Sequence, residues 1–254
     1  MSQNKILDRL IAMSKNLGDP ILDYAILGEG NTSARADAST FWVKASGAEL
    51  RTIDSGGFVR VRFDQVLALL DAGDLGDAEV KVGLEAARTD PAAQARPSVE
   101  TVLHALALQL EGVNFVGHTH PTAVNAVLCS QKAKEAISGR LFPDEIVVCG
   151  PAPVYIPYTD PGIPLARAVR DAINGHIAAY KETPKVILMQ NHGLIALGRT
   201  AQEVENITAM YVKTARIIIG AYSLGGPHFL DARSVERIHT RPDELYRRRG
   251  LASQ

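Results

Sequence analysis

Cysteine is scarce in this chain of 254 residues: there are two, Cys129 and Cys149, both inside apolar runs. Two thiols make no disulfide framework, so a fold stapled by cross-links is excluded. Both are read as small core residues in a reduced, cytoplasmic setting. An excess of one charge is also lacking. Lys+Arg number 27 against 28 Asp+Glu, a formal net charge of −1 that gives no reason to expect nucleic acid or an anionic membrane as partner. No stretch nears the ~18–20 apolar residues that span a bilayer. Lys5, Asp8 and Arg9 make the N-terminus an amphipathic helix and not a secretory leader. Internal repeats, low-complexity segments and clear linkers are missing as well. What is present, 46% hydrophobic and 22% charged residues, is the balance of a globular protein with a full core, at the length of one domain over residues 1–254.

The elements alternate. "NTSARADASTFWVKASG" predicts a hairpin turning around Ala36–Ser39, and "FVRVRF" (Phe58–Phe63) has the period of two of a half-exposed strand. "DQVLALLDAG" predicts a helix with Asp64 as N-cap and Gly73 as its stop. Gly73 to Arg96 is Gly/Asp/Ala-rich and is expected to cross the surface. Arg96–Gly112 predicts a helix with Pro97 near its start. "VNFVGHTH" is a strand followed by a helix from Pro121; "EIVVCG", "PVYIP" and "KVILMQ" are further strands, and Ile163 to Lys181 is helical. In "TAQEVENITAMYVKTARIIIGAYS", Thr200 and Glu203 form a capping box while Val204, Ile207, Tyr211 and Ile218 share a face. The charged C-terminus from Arg241 is expected to fray. Mixed strands and helices suggest a three-layer α/β domain.

In an extended strand, residues i and i+2 project to one face, so His118 and His120 point together. Two converging imidazoles suit a metal of intermediate softness such as zinc. The third ligand on offer is His192, just beyond the buried "KVILMQ" strand, where Gly193 lets the chain turn. A lone His-x-His is more often a polar strand end, so geometry alone leaves the site open. His104 lies one turn beyond Glu100 and either orients it or packs; His176, His228 and His239 carry no signal. Glu100 near a helix start is favoured by the macrodipole, and otherwise suits a fourth metal ligand or general base. Ser98, with the amides at that helix start, suits an anion. "GEGNTS" (Gly28–Ser33) departs from a dinucleotide fingerprint: Ser33 takes the third glycine position and a hairpin follows instead of a helix. With Asn31 it still suits an anion-binding turn, and "KASG" (Lys44–Gly47) is a second small polar turn.

In order, "GEGNTS", "KASG", "RPSVETVLH", "HTHP", "IPYTDPG" and "QNHGL" resemble the class II aldolase/adducin family, over nearly the whole chain from Asp23 to Ile219. "FWVKASGAEL" also looks like the aldolase part of bifunctional rhamnulose-phosphate aldolase/dehydrogenases, whose dehydrogenase part has no counterpart in these residues. The resemblance implies an α/β/α sandwich around a mixed, mainly antiparallel sheet, and a homotetramer with sites between subunits. It implies Zn2+ (or Mn2+, Co2+ or Fe2+) on His118, His120 and His192, with Glu100 as resting-state ligand, proton-transferring base, or both. Gly30, Asn31, Ser46, Gly47 and Ser98 match residues that cradle the substrate phosphate, and Tyr158 a proton donor reaching a neighbouring subunit's site. One departure stands out: Val99 replaces the second serine of Pro-Ser-Ser-Glu, removing a phosphate donor.

The implied activity is retro-aldol cleavage of a sugar phosphate or related hydroxy-carbonyl compound, with no Schiff-base lysine. Decarboxylation of a 3-oxo or aromatic acid, and epimerisation of ribulose phosphate, are the alternatives on the same fold. An adducin-like assembly role is disfavoured by the retained histidines and Glu100. A nicotinamide oxidoreductase rests on the glycine loop alone.

Overall fold

A computed structural model describes residues 3–73, 75–244, 246 and 250. The hairpin forms where expected: β1 (Asn31–Arg35) pairs antiparallel with β2 (Thr40–Lys44), Ser33 opposite Val43. Asp37 closes the turn by accepting from the backbone N–H groups of Ser39 and Thr40 at 2.9 and 2.8 Å. Five more strands follow: β3 (Phe58–Arg62), β4 (Phe115–Thr119), β5 (Val154–Ile156), β6 (Val186–Met189) and β7 (Gly193–Gly198). They make one sheet in the order β3-β2-β1-β4-β7-β6-β5, antiparallel throughout except β5–β6.

Helices cover both faces. The helices α1 (Gln3–Leu17), α5 (Thr122–Leu128), α7 (Pro143–Cys149) and α9 (Ala201–Ser223) pack on one side. On the other lie α2 (Phe63–Asp71), α3 (Asp77–Ala86), α4 (Thr101–Leu108) and α8 (Ile163–Tyr180). The central strands split their side chains between the two cores with period two. Ile187, Met189, Ile195 and Leu197 enter one core, and Val186, Leu188, Leu194 and Ala196 the other. That is why "KVILMQ" reads as a continuous apolar run. Two further helices, α6 (Ala133–Ala136) and α10 (Ala232–Thr240), follow the chain between and after these. No helix among the described residues is long and apolar enough to cross a membrane.

Several local expectations are corrected. "EIVVCG" belongs to α7, not to a strand: Pro143 opens the helix, Asp144 and Glu145 occupy its first turn, and Gly150 ends it at φ +80°. Its β-branched residues mimic a strand because the helix is mostly buried. The helix expected over Arg96–Gly112 shortens to α4, since Pro97 is held in an isolated bridge with Ala45. The N-cap of α2 is Arg62, with Asp64 inside the first turn. The doubtful Gly73–Arg96 stretch contains α3, anchored by buried Val80 and Leu84. Cys149 is buried, and burial pushes its thiol up to about 12; Cys129, at the C-cap of α5, is exposed, against the expectation of two core thiols. Half of the capping box forms: Thr200 accepts from Glu203 N–H at 3.1 Å, but the Glu203 carboxylate reaches past Thr200 to Arg199 N–H at 2.7 Å. The expected fraying of the C-terminus falls mainly outside the described residues.

Candidate functional site

The centre of the sheet builds the site. β4 carries His118 at its end and His120 just beyond, while β6 and β7 form a hairpin whose turn holds His192. Register sets Thr119 opposite Leu194 and Asn31 opposite His118, so three strand ends meet. The ligand-type nitrogens of His118, His120 and His192 all lie within 4.8 Å of one another. The turn itself differs from expectation. Asn191 takes the left-handed conformation, at φ +54°. Gly193 is needed for another reason: a Cβ there would stand 2.6 Å from Thr119 O and 2.7 Å from His120 Cδ2.

Each of the paired imidazoles has its outer nitrogen spoken for. His118 Nδ1 lies 3.0 Å from the Leu194 carbonyl, and His120 Nδ1 lies 3.1 Å from Glu29 Oε2. Both partners only accept, so each Nδ1 carries the hydrogen and each Nε2 exposes a lone pair. Those two Nε2 atoms face one another at 3.0 Å. Two lone pairs at that distance repel, and a cation between them removes the repulsion. Burial pushes His118 down to about 3 and lowers His120 as well, which keeps the rings neutral, the form a metal requires.

Glu100 closes the cluster from the N-cap of α4. Its Oε2 lies 3.5 Å from His118 Nε2, and its Oε1 lies 3.2 Å from His192 Nε2. Oε2 accepts from Asn31 Nδ2 at 2.7 Å, whereas Oε1 is buried with no hydrogen-bond partner. Burial alone would raise this carboxyl, but the imidazoles of His118 and His192 and the Asn31 amide hold it below the ordinary carboxylate range. A buried carboxylate oxygen beside three imidazoles fits a divalent metal of borderline softness.

The two glycine-rich turns stand beside this cluster. Lys44, buried, donates from Nζ to the carbonyls of Gly28 at 3.0 Å and Ala48 at 2.5 Å, tying "GEGN" to "KASG". Ser46 N–H donates to Arg96 O at 2.8 Å, which brings the second turn against the Ser98 segment. Gly30 has φ +67°, and a Cβ on it would meet His118 O at 2.7 Å. Ser98 Oγ accepts from Glu100 N–H at 3.3 Å and from Asn31 Nδ2 at 3.5 Å. Ser46 and Gly47 are exposed on their turn. The Asn31 side chain is buried and faces Glu100 and His104, not open space. Val99 is 56% exposed beside Ser98.

Tyr158 is not brought to the histidines of its own chain. It is exposed and donates from Oη to Asp160 Oδ1 at 3.0 Å, while its backbone N–H donates to Gln190 Oε1 at 3.3 Å. One residue went unnoticed in the sequence. Glu29 is the carboxylate that orients His120, and an acid between two glycines was its only signal. His104 contacts Asn31 and not Glu100 directly. Carboxylates that hold a ligating histidine typically matter about 10–100-fold in metal affinity. Glu29→Gln is therefore expected to weaken Zn2+ binding by roughly that factor, read by competition with a chelating dye; wild-type affinity in the variant would remove Glu29 from the site.

Comparison with known proteins follows the same residues. The class II aldolase and adducin N-terminal domain model matches residues 8–219. Among curated proteins the chain is 29% identical over 202 residues to the uncharacterized oxidoreductase YuxG of Bacillus subtilis (strain 168), covering 75% of this chain but 25% of that protein. The chain thus spans about a quarter of that relative's length. Among solved structures, the N-terminal class II aldolase domain of a conserved Thermoplasma acidophilum protein is similar at 29% identity and TM-score 0.66, covering 84% of this chain and 93% of that one. An L-fuculose 1-phosphate aldolase shares the fold at 18% identity and TM-score 0.69, covering 92% and 94%. YgbL of Klebsiella pneumoniae, assigned only as far as aldolase/epimerase/decarboxylase, shares it at 20% identity and TM-score 0.69, covering 94% and 99%. The three-layer fold with its mixed seven-stranded sheet is that of these neighbours, and the chain belongs to the class II aldolase and adducin N-terminal domain family.

Proposed function

We propose that the chain is a metal-dependent carbon–carbon lyase that cleaves a phosphorylated sugar or related hydroxy-carbonyl compound by a retro-aldol reaction. The observation that carries this reading is the convergence of three imidazoles on the Glu100 carboxylate. His118, His120 and His192 hold the metal, with Glu100 as a further ligand in the resting state. Bound there, Zn2+ supplies a Lewis acid for negative charge developing on substrate oxygen. Glu100 moves the proton: Oε2 is held by Asn31, and Oε1, which faces His192 Nε2, is the oxygen left to exchange one. Gly30, Ser46, Gly47 and Ser98 cradle a substrate phosphate, and Asn31 joins them only by giving up its hydrogen bond to Glu100. Tyr158, exposed on its own subunit, serves a neighbouring site as proton donor in a homo-oligomer. Lys44, beside the two glycine-rich turns, is committed to two carbonyls, so Schiff-base chemistry is not part of the reading.

A second reading keeps the same residues and changes the bond broken. Exposed Val99 stands where a phosphate-binding serine is expected, which leaves room for a substrate that does not rely on that contact, and hence for decarboxylation of a 3-oxo acid. A panel of ketose 1-phosphates and 3-oxo acids, assayed for aldehyde and for carbon dioxide, separates the two. Aldehyde release that a chelator abolishes and that Zn2+ restores is the expected result, and borohydride with substrate should trap no adduct. Undiminished activity in rigorously metal-free protein, or a reduced lysine adduct, would sink the metal reading; carbon dioxide alone would select decarboxylation.

A further inference from the structure

The hydrogen bonds behind Glu100 form a chain with only one consistent direction. β1 projects Asn31 and Ser33 from one face, two residues apart, and α4 carries His104 four residues beyond Glu100. The two pairs interleave: Asn31 meets Glu100 Oε2 at 2.7 Å, His104 Nε2 meets Asn31 Oδ1, and His104 Nδ1 meets Ser33 Oγ at 2.7 Å. Ser33 and His104 are wholly buried and Asn31 is 4% exposed, so water does not compete for these bonds. A carboxylate only accepts, which obliges Asn31 to turn its NH2 toward Glu100 and its carbonyl oxygen toward His104. That oxygen also only accepts, so His104 must carry its hydrogen on Nε2. His104 Nδ1 is then a lone pair, and the Ser33 hydroxyl is the group that fills it.

We propose that His104 and Ser33 are positioning residues: the Nε2–H of His104, donated to Asn31 Oδ1, braces the Asn31 amide in the orientation that donates to Glu100, and the Ser33 hydroxyl, donating to Nδ1, holds the ring in place. Without the ring donor the Asn31 carbonyl oxygen is left buried and unpaired, and the amide no longer has a fixed seat from which to donate to Oε2. The consequence for catalysis rests on the reading of Glu100 as the proton-transferring group; the tautomer and the amide orientation do not.

The test uses the metal-free full chain with 15N-labelled histidine and 13Cδ-labelled glutamate. In the wild type, NMR is expected to show His104 with a protonated Nε2 and an unprotonated Nδ1. Ser33→Ala is expected to keep that tautomer but to lose the hydrogen bond at Nδ1, moving its 15N signal, and to shift the Glu100 carboxyl signal. His104→Gln, whose amide can replace the ring donor, should leave that signal near its wild-type position, and His104→Leu should move it. A wild-type ring protonated on Nδ1, or a Glu100 signal indifferent to both Ser33→Ala and His104→Leu, overturns the proposal. If His104→Leu fails to fold, Ser33→Ala decides alone, since it removes one oxygen and changes no packing partner. None of these signals depends on bound metal or on turnover, so failure of the lyase assays would leave the result standing.

Discussion

Glu100→Gln is expected to reduce turnover by about 10²–10⁴-fold, the usual range for loss of a positioned general acid–base group. The substitution is nearly isosteric. A glutamine oxygen can still accept from Asn31 Nδ2, which now lies 2.7 Å from Oε2, so the wall of the site stays in place. What disappears is the ability to hold a proton and the negative charge beside His118 and His192. Three imidazoles remain to hold the metal, so Zn2+ should still bind, more weakly. That combination separates the proton-transfer role from a purely ligating one. If Glu100 only ligates, added Zn2+ restores the rate at saturation; if it carries the proton, the rate stays low at full metal occupancy. Steady-state kinetics across a Zn2+ titration gives the answer, and turnover within about twofold of wild type at saturation would remove Glu100 from the chemistry.

Much of this site could be read from the sequence because its parts sit in regular elements. The spacing of His118 and His120 needs only a strand to make them neighbours, and the apolar run before them supplies one. The α9 stripe and the Ala36–Ser39 hairpin were legible for the same reason: a single period or a single turn decided them. The run "EIVVCG" was not, because a buried helix and a buried strand look alike over six residues, and only the Pro143 start and the Gly150 stop tell them apart. Glu29 and the Ser33–His104 link were hidden for another reason. They depend on which residues the β1–β4 register and the α4–β1 packing set side by side, and no local pattern carries that information. Tyr158 lies between: its place in the motif order is readable, yet the proton-donor role proposed for it needs a neighbouring subunit, which no local pattern describes.

Gly193→Ala should abolish the metal site more completely than the loss of Glu29, even though Gly193 bears no side chain to lose. A Cβ at this position would stand 2.6 Å from Thr119 O, 2.7 Å from His120 Cδ2 and 3.1 Å from His118 Cε1. Two of these contacts are with rings proposed to ligate the metal, and the third is with the backbone of the strand that carries them. The methyl group has no flexible neighbour to push aside. Relief comes only by separating β7 from the end of β4, where Thr119 faces Leu194, or by rotating both imidazoles out of convergence. Forced overpacking of this kind typically costs about 1–3 kcal/mol of stability. The expected result is therefore a lowered melting temperature together with Zn2+ affinity reduced beyond the roughly 10–100-fold set for Glu29→Gln. Gly175→Ala is the control, because that glycine lies in α8 with nothing within 4 Å of an added Cβ. There the change should be neutral or stabilising by up to about 1 kcal/mol, with metal binding untouched. If Gly193→Ala binds Zn2+ as tightly as Gly175→Ala does, the imidazoles do not converge in the way that places a metal between them.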